Sequence, residues 1–230
     1  MTSMVVDAFR AEVLEANLAL PRHGLVVGTS GNASARDPDT GLVVIKPSGV
    51  PYESMTADDL VVLDLDGTVV DGRLSPSADT ATHLYLYRQR EDVGAVIHTH
   101  STYATAWAAN GESIPVYLTS IADNFGGPVP CGGYAVIGGE QIGAEVLRVC
   151  GRSPAVLLAN HGVFCLAADL RRTLHAAIMV EEAAHTAFVA RALGHPTEIP
   201  ADEVARQHAF HTEHYGQRDD ARRHPGESAR

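Results

Sequence analysis

Two short apolar runs, each closed by histidine, do most to restrict how this chain of 230 residues can fold. Gly94-Ala95-Val96-Ile97-His98-Thr99-His100 has the length and β-branched content of a buried strand, and Ala155-Val156-Leu157-Leu158-Ala159-Asn160-His161-Gly162 repeats the pattern. In an extended strand residues i and i+2 point to the same side, so His98 and His100 face one point at the strand's end. His161 stands in the matching place on the second run. Three neutral imidazoles from two strand ends can hold Zn²⁺ and leave a coordination position open, which is how catalytic rather than structural zinc is bound. The same donors also suit Mn²⁺, Co²⁺ or Ni²⁺. With 12 histidines in the chain, one His-x-His pair would mean little. It is the paired placement that points to a metal site.

Composition narrows the partners. A hydrophobic content of 45% supports one sizeable core, and 17 Lys+Arg against 28 Asp+Glu give a net charge of -11, which argues against a nucleic-acid partner. The first ten residues carry neither a basic nor an apolar segment of signal type, and no run of 18 apolar residues occurs, so no membrane partner and a cytoplasmic location are expected. Cys131, Cys150 and Cys165 are odd in number and lack C-x-x-C spacing, so they are read as reduced, partly buried thiols.

The periodicity predicts a helix over 5–20, ended by Pro21 and Gly24, and a strand over 41–46 followed by a Pro-Ser-Gly turn. A strand over 60–65 leads through Asp66-Gly67, a hairpin signal, into Val69-Val70. Helices are predicted over 79–88, with Ser77 or Asp79 as cap, over 102–109 and over 138–149; 116–119 and 163–166 are read as strands. The best-defined element is an amphipathic helix over 170–193, whose stripe includes Phe188 and Leu193. Residues 201–214 are weakly helical, and 218–230 read as a tail. Hairpin signals outnumber strict strand-helix-strand alternation, so the fold class is α/β: a single domain with a central, mainly antiparallel β-sheet flanked by α-helices.

Three turns combine small hydroxyls with free backbone N–H groups, the chemistry that holds a phosphate or another anion: Ser30-Gly31-Asn32, Lys46-Pro47-Ser48-Gly49 and Ser75-Pro76-Ser77. Taken singly, each is an ordinary turn. Asp123 is equally an Asx-type cap before Phe125-Gly126-Gly127, Tyr215 a surface aromatic and Asp79 a helix cap. Glu181, Glu182 and His185 are read as a solvated helix face rather than a second metal site.

These strings resemble, in order along the chain, the class II sugar-phosphate aldolases and epimerases. The likeness spans residues 8–217 and includes Gly28-Thr29-Ser30-Gly31-Asn32, Lys46-Pro47-Ser48-Gly49, Met55 to Leu60, Pro76-Ser77-Ala78-Asp79-Thr80, His98-Thr99-His100-Ser101 and Asn160-His161-Gly162. Asp79, where the aldolases tend to have Glu, the segment Ile121 to Phe125, and His214-Tyr215-Gly216-Gln217 make it look more like the L-ribulose-5-phosphate 4-epimerases than the L-fuculose-1-phosphate aldolases.

The resemblance implies one domain over 1–217 and a homotetramer with active sites at subunit interfaces. It implies that His98, His100 and His161 bind the divalent metal, with Asp79 as a further ligand or acid/base group. Ser30, Gly31, Asn32, Lys46, Ser48, Gly49 and Ser77 would handle a small-molecule sugar phosphate, and Asp123 and Tyr215 would form the acid/base pair of a neighbouring subunit's site. A second family histidine maps near His208. The implied reaction is retro-aldol cleavage of C3–C4 in L-ribulose 5-phosphate and re-addition with C4 inverted, with a Lewis-acid metal and no Schiff-base lysine. An aldolase or related lyase on another phosphorylated sugar or sugar acid is the alternative, and a metal-binding scaffold without turnover a third. Two departures stand out: Ala78 replaces a serine of the phosphate pattern, and 131–150 is shorter than in the enterobacterial epimerases.

Overall fold

The computed structural model describes residues 2–215. The tail over 218–230, and Gly216 and Gln217, lie outside them.

Eight strands form one sheet in the order β4-β3-β2-β1-β5-β8-β7-β6: β1 (Asn32–Arg36), β2 (Val43–Ile45), β3 (Val61–Leu63), β4 (Val69–Asp71), β5 (Ala95–Thr99), β6 (Cys131–Gly132), β7 (Ala155–Leu158) and β8 (Gly162–Ala167). Every pairing is antiparallel except β6 with β7. Among the described residues seven α-helices accompany it: α1 (Thr2–Arg22), α2 (Thr80–Gln89), α3 (Thr102–Ala109), α4 (Thr119–Phe125), α5 (Gln141–Cys150), α6 (Leu170–Leu193) and α7 (Ala201–His214).

Both faces of the sheet are covered, and strand alternation shows how. In β5, Ala95 and Ile97 belong to a core with residues of α1, α3, α4 and α6, whereas Val96 packs into a second core with Leu84, Leu86 and Tyr87 of α2 and Ile142 and Val146 of α5. The central strands are therefore apolar on both sides, which is why they read as continuous hydrophobic runs rather than alternating ones. A stripe of Ala176, Ala177, Ala183, Ala184 and Ala187 lets α6 approach closely, and Trp107 Nε1 of α3 donates to Ala184 O at 3.0 Å.

Several expectations need correcting. Residues 116–119 are not a strand: they lead into α4, where Asp123 lies within a helix instead of capping a turn. Its C-terminus is closed by Gly126 at φ 66, a left-handed cap that the Gly126-Gly127 pair made look like a loop. β1 was not anticipated as a strand, because Asn-Ala-Ser-Ala-Arg lacks β-branched residues; its place between β2 and β5 imposes the extended conformation. Pro21 lies inside α1, which runs on to Arg22. Asp79 occupies the position before α2 but its side chain makes no capping bond. On α6, Phe188 and Leu193 are 53% and 85% exposed, so the buried stripe is the alanine row. Glu181 is not a solvated charge: its two oxygens accept from Tyr103 N and Ala104 N, each at 2.9 Å, and so satisfy orphan donors at the start of α3.

Candidate metal and anion site

β5 and β8 are antiparallel neighbours, with His98 opposite Phe164 and Thr99 opposite Val163, so the end of β5 lies beside the beginning of β8. The β7–β8 hairpin turns at that same edge. His161 sits in this turn rather than at a strand end, presented by Asn160 in the left-handed region at φ 58, a backbone that asparagine adopts more readily than most other non-glycine residues. The topology thus brings His98, His100 and His161 together, with ligand atoms all within 4.8 Å of one another. Gly162 makes this packing possible. A Cβ there would meet Thr99 O at 2.6 Å, His100 Cδ2 at 2.7 Å and His98 Cε1 at 3.3 Å.

The donor chemistry fits a divalent cation. His98 Nδ1 lies 2.9 Å from Val163 O, so this nitrogen carries the proton and Nε2 is left with its lone pair. His161 Nδ1 is buried without a partner. Burial pushes the His98 imidazole down to about 3 and lowers His100 and His161 as well, which keeps all three neutral and able to ligate near pH 7. The rings of His98 and Phe164 stack at 4.2 Å, fixing the orientation of the most buried imidazole of the three.

Asp79 stands outside the cluster of ligand atoms but next to it. Burial opposes the charge on its carboxyl, yet the imidazoles of His98 and His83, as they take up protons in acid, and the Asn32 hydrogen bond outweigh that, leaving it below the usual carboxylate range. Asn32 Nδ2 donates to Asp79 Oδ2 at 2.7 Å and to Ser77 Oγ at 3.0 Å.

The three anion-type turns converge. Ser48 N donates to Ser75 O at 2.9 Å and Ser77 N to Lys46 O at 3.0 Å, which zips the second turn to the third through a Pro47–Pro76 bridge. Asn32 ties the first turn to Ser77. Gly31, at φ 71, belongs where a Cβ would meet His98 O at 2.8 Å, so this turn also abuts β5.

Asp123 and Tyr215 form a separate group in this chain. His208 Nδ1 lies 2.8 Å from Asp123 O, His211 Nδ1 lies 3.8 Å from Asp123 Oδ2, and the His211 ring stacks on Tyr215 at 4.3 Å. No hydrogen bond or ion pair among the described residues joins this group to the histidine triad. Tyr215 is 79% exposed. His211 was missed in the sequence, although its spacing of four from Tyr215 on a helix was the available signal. The three cysteines are free, with Cys150 and Cys165 buried, and no described helix is long and apolar enough to cross a membrane.

Residues 11–188 match the family model for the class II aldolase and adducin N-terminal domain. The chain is 43% identical over 231 residues to L-ribulose-5-phosphate 4-epimerase UlaF of Salmonella paratyphi B, covering 93% of this chain and 100% of that protein. A solved L-fuculose 1-phosphate aldolase superposes with a TM-score of 0.84 at 32% identity, over 88% of this chain and 95% of the other. YgbL of Escherichia coli, described as a putative aldolase/epimerase/decarboxylase, gives 0.78 at 27% identity, over 89% and 99%.

Proposed function

The chain belongs to the class II aldolase and adducin N-terminal domain family, and from that premise we propose that it is a metal-dependent epimerase interconverting L-ribulose 5-phosphate and D-xylulose 5-phosphate. The observation that carries the reading is the 43% identity to the UlaF epimerase along essentially the whole of both chains. The neutral triad beside a turn-built anion site supplies the chemistry the reaction needs.

His98, His100 and His161 would hold the cation, for which Zn²⁺ suits an all-imidazole set and Mn²⁺ or Co²⁺ remain compatible. When bound, a divalent ion supplies Lewis acidity to the oxygens that gain negative charge as C3–C4 breaks. Ser30, Gly31, Asn32, Lys46, Ser48, Gly49 and Ser77 would hold the phosphate and orient the ketose; Ala78 offers no hydroxyl to it. Asp79, anchored by Asn32 beside the triad, would accept a hydrogen bond from a substrate hydroxyl or complete the metal's ligands.

Cleavage requires the C4 hydroxyl proton to leave, and the C3–C4 electron pair passes to the three-carbon fragment as glycolaldehyde phosphate forms. Rotation of that aldehyde exposes its other face, and re-addition followed by return of a proton to the C4 oxygen gives the epimer. Two acid/base groups on opposite faces are needed. Asp123 and Tyr215 would be these groups, acting in a neighbouring subunit of a homotetramer, in keeping with the exposure of Tyr215. The alternative is an aldolase acting on another ketose phosphate, favoured by the likeness to the L-fuculose 1-phosphate aldolase. The test is a coupled assay for D-xylulose 5-phosphate formed from L-ribulose 5-phosphate by the Zn²⁺-loaded protein, with His98→Asn as the control that must abolish turnover.

A further inference from the structure

Lys46 is 1% exposed, and its ammonium lies among carbonyls rather than carboxylates: Nζ donates to Thr29 O and Pro47 O, each at 3.3 Å. None of the ion pairs among the described residues includes it. A buried cation without a counter-charge is unfavourable, and burial accordingly lowers its pKa. What faces it is the ring of Tyr52, with Nζ 4.8 Å from the centroid, within the range where the aromatic face attracts a cation.

Tyr52 does a second thing. Only 2% exposed, it shares its one hydroxyl proton between two consecutive carbonyls, Ser30 O and Gly31 O, both at 2.9 Å. Burial raises its pKa, so the phenol stays protonated and keeps donating. These carbonyls end a small exposed turn, closed by Ser30 Oγ donating to Val27 O at 2.7 Å, and the same turn supplies the Thr29 carbonyl that covers the ammonium. One side chain therefore controls both the seat of the cation and the turn lying over it.

We propose that Tyr52 is a positioning residue for anion binding: its ring seats the Lys46 ammonium, its hydroxyl pins the Val27–Gly31 turn, and an anionic group of the substrate supplies the missing counter-charge. This inference rests on the reading that the turns around Lys46 hold the sugar phosphate. It deepens that reading by assigning a residue that touches no substrate atom and works through Lys46 and the turn.

Two variants separate the two roles. Tyr52→Phe keeps the ring and loses the donor; KM for L-ribulose 5-phosphate and Kd for inorganic phosphate should each rise about fivefold, with kcat within about twofold of wild type. Tyr52→Leu loses both, and affinity should fall about tenfold further. The alkaline limb of phosphate affinity against pH, which follows the Lys46 ammonium, should move to lower pH in the Leu variant and stay in place in the Phe variant. The experiment is calorimetric titration of the metal-loaded full chain with inorganic phosphate across pH, alongside turnover and a thermal melt for each protein. Unchanged affinity and an unmoved limb in both variants would overturn the inference, as would kcat and the melting midpoint falling together with no selective rise in KM. Wild-type protein that turns over L-ribulose 5-phosphate but binds no phosphate would overturn it and leave the epimerase standing. The predicted Tyr52 effects on phosphate binding without any L-ribulose 5-phosphate turnover would uphold it and sink the epimerase.

Discussion

The side-chain amide of Asn32 donates to the carboxylate of Asp79 at 2.7 Å, joining the first residue of β1 to the residue that precedes α2. The same amide reaches Ser77 at 3.0 Å, so one residue aligns the Ser75-Pro76-Ser77 turn with the acid beside the triad. Asn32→Leu keeps the branched shape and removes both bonds, one to the half-buried, charged Asp79 carboxylate and one to the Ser77 hydroxyl. The expected loss in kcat/KM is about 10- to 100-fold with metal content unchanged, read by steady-state kinetics and elemental analysis. Wild-type kinetics would show that Asp79 is not held in this way.

Gly162→Ala places a methyl where Thr99 O and His100 Cδ2 stand closer than 3.0 Å. His100 must shift, and metal affinity should fall about 10- to 100-fold, the range found when support around a ligand is lost. Zinc titration against a chromophoric chelator measures it. Unaltered affinity would mean that the turn yields and the histidine does not.

His83 is fully buried, with Nδ1 2.7 Å from Ser34 Oγ, and burial lowers its pKa from 6.5 to about 4. An unfolded chain protonates this imidazole near pH 6.5 whereas the folded one does so only near 4, so between those values the unfolded state binds more protons. Stability is full above pH 6.5 and declines as pH falls toward 4, by about 3 kcal/mol from this group. Denaturant unfolding of His83→Gln at several pH values should show a slope shallower by about 1 kcal/mol per pH unit across that window; an identical slope would remove His83 from the account.

Asp123, His211 and Tyr215 are joined to one another, and no hydrogen bond or ion pair among the described residues links them to the triad. Asp123→Asn and Tyr215→Phe should each lower kcat at least 100-fold while zinc affinity stays at the wild-type value, since proton transfer and not metal binding is removed. Mixing an inactive His98→Asn protein with an inactive Tyr215→Phe protein and allowing subunits to exchange should restore part of the activity. Failure to complement would place both groups in the same subunit's site.

Much of the site could be read in the sequence because its elements obey short-range rules. The i, i+2 alternation aligns His98 with His100, and apolar runs mark β5 and β7. Less was legible where long-range context decides. β1 is a strand through its neighbours and not its composition. Asp123 became helical because its segment packs on α7, and Glu181 looked like a solvated charge because nothing local shows the helix end it caps. That the three hydroxyl-bearing turns meet at Asn32 and Ser77 depends on sheet order, which periodicity alone does not encode.

The central claim is metal-dependent inversion at C4 rather than net cleavage, and the most direct test is product analysis. The Zn²⁺-loaded protein is given L-ribulose 5-phosphate and, in parallel, L-fuculose 1-phosphate, and the products are resolved by NMR. The account predicts D-xylulose 5-phosphate from the first with no free glycolaldehyde phosphate, no comparable cleavage of the second, and loss of turnover on chelation. Aldehyde released from L-fuculose 1-phosphate with no D-xylulose 5-phosphate formed would contradict it and assign the chain to the aldolases.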